Sequence, residues 1–304
     1  MATKVQDPMS VSVVPAYRVV AKFARLAIGL NPSEAGDVIE QQLRPYVKNL
    51  LSNLHPSFLE LGERSAITHL GDPNPDGLVQ ALSELEDGGA KDIAEQAIQT
   101  AEARLQRPDI NARVVILPGD GESSVLVQQM RGVLGFSLGA QVVLTFVWPT
   151  ENWQQWLEYT MTHEYAHLVR NHLFPRGLAG GRLVYMRTQE PETLLDAMIV
   201  EGLADTFASE LMENVNPPWT SALTPDVEER IWPKVLRRLA VSDPSEIRRV
   251  LFGDNDRIPT WTGYTIGHHI VQGFMKLNAG TSLEKMIGMP ASDIYEASGY
   301  PPKI

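Results

Sequence analysis

The chain has 304 residues, 43% hydrophobic and 21% charged, with 26 Lys plus Arg against 37 Asp plus Glu and a formal net charge of −11. That composition supplies a sizeable core and excludes a disordered tail or a fibrous repeat, while the acidic balance repels phosphate backbones and argues against a nucleic-acid partner. No cysteine is present, which excludes disulfide scaffolds, thiol nucleophiles, Cys-based zinc knuckles and iron–sulfur ligation.

No apolar run reaches the roughly 20 residues needed to span a bilayer, so no membrane span is expected. The apolar stretch from Val11 to Leu30 is broken by Arg18, Lys22 and Arg25. It reads as a short helix covering part of the core rather than a secretory signal, which makes the cytoplasm the expected location. Residues 31 to about 106 have helical texture: Asn31-Pro32-Ser33-Glu34 resembles a helix start, and Val38, Leu43, Tyr46, Val47, Leu50 and Leu51 approximate helical spacing. After a Gly/Pro/Asp turn over 71–77, two further helices are predicted near 78–87 and 90–106. The texture then changes. Ala112–Leu117, Gly132–Ser137 and Gln141–Val147 are short, β-branched and bounded by turn residues, as strands are. From Pro149 onward the pattern is helical again, broken near Pro217-Pro218 and Pro225. The expected organisation is a helical N-terminal region over 1–108 and an α+β, predominantly helical region over 109–304.

The chemistry concentrates in His163-Glu164-Tyr165-Ala166-His167, an HExxH sequence. Residues four apart on a helix share a face, so both imidazoles aim at one point, with Glu164 one position round. Two neutral nitrogen ligands and a carboxylate able to take a proton from a metal-activated water are what a zinc hydrolase requires. A helix over 151–172 is predicted around the motif, with Thr150 placed to cap it, Glu151 at its dipole end and no Gly or Pro within. The metzincin continuation needs Gly at 170 and His at 173. This chain has Arg170 and Leu173, and its His172 is one place early. The third ligand must therefore come from elsewhere.

A second helix, predicted over 191–213, supplies it. At about 100° per residue, Leu194, Met198, Glu201, Asp205, Ala208 and Met212 form one stripe, while Glu192, Asp196, Glu210 and Glu213 lie on the other side. Burying a carboxylate among apolar neighbours costs several kcal/mol unless a cation or hydrogen-bond donor meets it. Glu201 is thereby the expected third ligand, and Asp205, one turn on, the acid that orients a ligand imidazole.

HEYAH followed by EGLAD resembles the gluzincin signature HExxH…ExxxD of thermolysin-like metallopeptidases. HEYAHLVR, LLDAMIVEGLADTF and WTGYTIGHHIVQGF together resemble the YjaZ-like family of predicted zinc-dependent proteases, over roughly residues 110–300. The resemblance implies a thermolysin-like catalytic core, a small β-sheet beside the HExxH helix and a helical C-terminal lobe. It makes His163 the imidazole that Asp205 orients. It also implies a sheet-edge strand that pairs with an extended peptide, matched by Gly132, Val133, Leu134 and Gly135. Tyr264 matches the family's tyrosine. With His268, four residues on, it is a candidate donor to the oxyanion of the tetrahedral intermediate. Arg170 shares a face with His167 and is placed to hold a substrate carboxylate. The 33 residues between His167 and Glu201 exceed thermolysin's spacer, and the Gly-rich stretch over 173–190 is expected as a loop bordering the cleft.

The sequence thus predicts a one-zinc peptidase acting on a peptide or protein, with His163, His167 and Glu201 as metal ligands and Glu164 as general base. Two alternatives share the metal ligands: a zinc-stabilised binding or chaperone-like module without turnover, and a zinc hydrolase of a non-peptide amide. Oligomeric state is left open. Asp72–Gly77 begins like an EF-hand loop, but the twelfth position is Ser83 rather than an acid. His55 and His69 have no companions at ligand spacing.

Overall fold

The computed structural model describes residues 11–27, 30, 32–52, 75–107, 109–180, 182–254 and 256–301. The architecture is α+β, mostly helical with a small mixed sheet, in two compact units, Met1–Glu164 and Tyr165–Ile304. His55, His69 and residues 71–74 of the acidic turn lie outside the described residues.

In the first unit the β-branched runs form strands β1 (Val11–Val14), β2 (Ala112–Pro118), β3 (Val133–Leu138) and β4 (Val142–Val147). Their order is β1-β2-β4-β3, with β1 parallel to β2, β2 parallel to β4 and β3 antiparallel to β4. Every residue of β4 (VVLTFV) is buried, Thr145 included, which explains why its apolar residues do not alternate with exposed polar ones. β3 is an edge strand, paired through Val133 opposite Val147 and Leu138 opposite Val142.

The three expected strands are present, and β1 is a fourth. The Val11–Leu30 stretch is therefore a strand followed by helix α1 (Tyr17–Ala27), not one short helix. Val11 and Val13 alternate inward past exposed Ser12, the two-residue period of a half-buried strand. Helices α2 (Pro32–Val38) and α3 (Arg44–Leu50) follow, then α4 (Pro75–Asp87) and α5 (Ala90–Arg104). In α5, Ala90, Ala94, Ala97, Ile98 and Ala101 make the buried face at helical spacing. Arg18 of α1 pairs with Glu86 of α4 at 2.7 Å.

Helix α6 (Trp153–Leu173) carries HExxH, and the unit boundary falls within it. It starts later than expected because Asn152 has a left-handed backbone, φ 59°, that helix propagation does not tolerate. Thr150 is no cap; its hydroxyl donates to the Arg131 carbonyl at 2.7 Å. Every residue over 161–171 is buried, polar ones included.

In the second unit, the expected loop over 173–190 contains a hairpin, β5 (Arg176–Ala179) with β6 (Arg182–Tyr185). Arg176 holds its base, donating to Asn171 at 2.6 Å and pairing with buried Glu192. The helices are α7 (Leu194–Leu211), α8 (Pro225–Leu236), α9 (Pro244–Phe252), α10 (Thr262–Leu277), α11 (Leu283–Ile287) and α12 (Ala291–Glu296). A reciprocal capping box starts α7: the Thr193 hydroxyl accepts from the Asp196 amide, and the Asp196 carboxylate accepts from the Thr193 amide. Ile199, Leu203 and Phe207 are fully buried, each worth about 1.5–3 kcal/mol of transfer free energy. Leu194, Met198, Asp205 and Ala208 of the expected stripe are buried too, but the covered surface is wider than one stripe. Among the described residues no helix is long and apolar enough to cross a membrane.

Candidate metal centre and its surroundings

One helical turn brings the HExxH side chains together. His163, Glu164 and His167 offer ligand atoms that all lie within 4.8 Å of one another. The two imidazoles are each 8% exposed and Glu164 4%, so these are not histidines on a solvent-facing helix. Glu201, on α7, is outside that trio, yet its Oε2 lies 3.5 Å from His167 Nε2. The donor set, two buried imidazoles with neighbouring carboxylates, fits the chemistry of zinc.

Glu164 is seated from β3. Ser137 Oγ donates to Glu164 Oε2 at 2.6 Å and stands 3.2 Å from the Glu164 carbonyl oxygen. Gly135 lies so close that a Cβ there would be 2.7 Å from Glu164 Cγ and Oε1. Sequence reasoning assigned this glycine to approach by a peptide and missed Ser137. The signal available was the two-residue period that puts 135 and 137 on one face of the strand. In the same segment Gly132, with φ 87°, forms the turn into β3, Val133 is buried and Leu134 is half-buried.

On the Glu201 side, α7 and α10 approach through glycines. A Cβ on Gly202 would collide with the Gly267 carbonyl, and one on Gly267 with the Met198 carbonyl. Next to these glycines in sequence stand Glu201 and His268, so the close crossing fixes the backbones that carry both. Glycine beside each candidate, in EGLAD and TIGHH, was the readable trace of this contact. Thr206 Oγ1 accepts from Gln272 Nε2 at 3.2 Å and lies 3.4 Å from His268 Nδ1. The Thr206 hydroxyl thus links Gln272 to the His268 imidazole. Burial pushes the His268 pKa below its ordinary value; nearby Asp205 opposes the shift and His269 adds to it.

Asp205 is fully buried, and its Oδ1 accepts from Trp219 Nε1 at 3.0 Å. Tyr264 packs its ring against Trp261 and Phe252, with centroids 5.3 and 5.5 Å away. Arg170, expected to hold a substrate carboxylate, is instead built into the fold. It is 5% exposed, donates to the carbonyls of Ile287 and Met289 at 2.8 and 3.0 Å, and lies over the Phe174 ring. Burial pulls its pKa down to about 10, so it remains a cation at neutral pH and serves the carbonyls that end α11.

A buried His-Glu-His group on one helix, beside a carboxylate from a second, is an arrangement that could hold a metal ion. The chain belongs to the family described as "Predicted Zn-dependent protease (DUF2268)", whose family model matches residues 90–296, about two thirds of its length. The match covers the HExxH helix, the Glu201 helix and strands β2–β4. No curated protein and no solved structure matches the chain.

Proposed function

We propose that this protein is a gluzincin-type peptidase with a thermolysin-like core, in which His163, His167 and Glu201 hold one zinc ion and Glu164 is the general base. The carrying observation is the 3.5 Å between His167 Nε2 and Glu201 Oε2. That is longer than an ordinary N–H···O hydrogen bond, whereas two donors about 2.0–2.1 Å from one tetrahedral ion sit roughly 3.3–3.4 Å apart. Zinc, when bound, supplies Lewis acidity that polarises the scissile carbonyl and brings the pKa of water toward about 7.

The remaining work falls to side chains. Glu164 takes the proton from the attacking water and passes it to the departing amine nitrogen. The carbonyl oxygen gains negative charge as the tetrahedral intermediate forms. Tyr264 and His268, one turn apart on α10, are the two candidate donors to it. Asp205, one turn beyond Glu201, completes the ExxxD pair as the acid that orients an imidazole. The substrate is a peptide or protein, lying extended along the outer edge of β3 through Val133, Leu134 and Gly135, with Gly132 shaping the turn that leads into the strand.

Metal analysis combined with cleavage of an unbiased peptide mixture tests this reading. The purified chain is expected to carry one zinc, to cleave, to stop on chelation and to recover when zinc is returned. Glu164→Gln should keep zinc and lose about 10²–10⁴-fold in rate. Wild-type activity in that variant, or a zinc-loaded wild type that cleaves nothing, would contradict the proposal.

A further inference from the structure

The inward face of β3 is shaped around Glu164 by two residues with opposite contributions. Gly135 and Ser137 are two apart and so share that face. At 135 the absence of a side chain makes room: a Cβ would come within 2.7 Å of Glu164 Oε1 and 2.8 Å of Thr160 Cγ2. At 137 a hydroxyl has a single proton and two oxygens of Glu164 in reach. The contact to Oε2, at 2.6 Å, is much shorter than the one to the carbonyl oxygen, at 3.2 Å, so the proton goes to the carboxylate.

We propose that Ser137 is a positioning residue for the catalytic carboxylate: its hydroxyl anchors Glu164 Oε2, and Gly135 leaves the space in which Oε1 stands ready to accept a proton. This rests on Glu164 being the general base. A carboxylate free to rotate about its last torsion would present either oxygen, in a range of directions. Tying one oxygen to the sheet commits the other, and the strand that holds it is the same edge along which the peptide is proposed to lie. Substrate binding and base alignment are then set by one element.

The test uses the full-length zinc-loaded protein with Ser137→Ala, Ser137→Thr and Gly135→Ala, measuring zinc content, kcat and KM on a peptide the wild type cleaves, and the crystal structure of Ser137→Ala. Ser137→Ala should keep its zinc and its KM while kcat falls about 10–100-fold, the usual cost of one hydrogen bond to a charged group. Threonine restores the hydroxyl and should bring kcat back to within roughly threefold of wild type. In the Ser137→Ala crystal the Glu164 carboxylate should occupy more than one orientation. Gly135→Ala puts a methyl against Glu164 Cγ and Oε1 and Thr160 Cγ2, so Glu164 should be displaced and cleavage lost, with circular dichroism and zinc content checking that the variant folds. An unchanged kcat in Ser137→Ala, threonine no better than alanine, loss of zinc with the hydroxyl, or a Glu164 orientation unaltered in the crystal would each overturn the proposal. Full activity of Glu164→Gln would instead overturn the assignment of the base, while the Glu164 orientation in the Ser137→Ala crystal would still decide what Ser137 does.

Discussion

Thr206 has one hydroxyl proton and two lone pairs, enough to meet two polar side chains at once. Gln272 Nε2 donates to Thr206 Oγ1 at 3.2 Å and His268 Nδ1 stands 3.4 Å from the same oxygen, so this hydroxyl holds both side chains. Thr206→Val keeps the shape and removes the hydroxyl, which takes away the polar contact at His268 Nδ1. We expect kcat to drop by about tenfold with zinc content and KM unchanged, measured by steady-state peptide hydrolysis; an unchanged kcat would remove Thr206 from this role. At this scale the clustering of His163, Glu164 and His167 was legible because helical geometry alone brings residues four apart together. Ser137, 27 positions from Glu164, carries no local mark of its partner. Arg170 misled because sharing a face with His167 does not reveal which carbonyls of a distant segment will claim a guanidinium.

Among the elements, α6, α7 and strands β2–β4 were readable from periodicity and composition, since each is long or strongly β-branched. β1 was not, because its four residues run directly into a basic helix. The β5–β6 hairpin was hidden by glycines that read as loop, although Arg176 anchors it through Asn171 and Glu192. A clamp of similar kind joins α8 to α10 and to the C-terminal segment. Glu228 accepts from His269 Nδ1 at 2.9 Å and from the Tyr300 hydroxyl at 2.6 Å, and the Tyr300 ring stands edge-on to Trp232. Burial alone would raise the Glu228 carboxyl, but these two donors outweigh it and hold its pKa below the ordinary value. A carboxylate depressed by folding stabilises the native state above its unfolded pKa, and the contribution is lost as pH falls through the folded value. Glu228→Gln should therefore lower Tm at neutral pH by a few degrees, about 1–2 kcal/mol. The difference should close as the pH falls below about 4. Thermal melts across that range check it, and a gap constant with pH would show that the charge of Glu228 is not what the clamp uses.

For the molecule as a whole, fold class and chemistry were legible to different depths. The α+β character followed from three strands set among helices. The mixed parallel and antiparallel order did not, because strand pairing is decided by contacts far apart in sequence. Family membership over residues 90–296 supports zinc-dependent proteolysis and leaves the ligand set to geometry. The proposed site requires Glu201 to join the two histidines at one ion. Anomalous diffraction at the zinc edge from crystals of the zinc-loaded protein tests this most directly. One peak is expected, about 2.0–2.2 Å from His163, His167 and Glu201 side-chain donor atoms. A peak held without Glu201, or no peak at the two histidines, would contradict it.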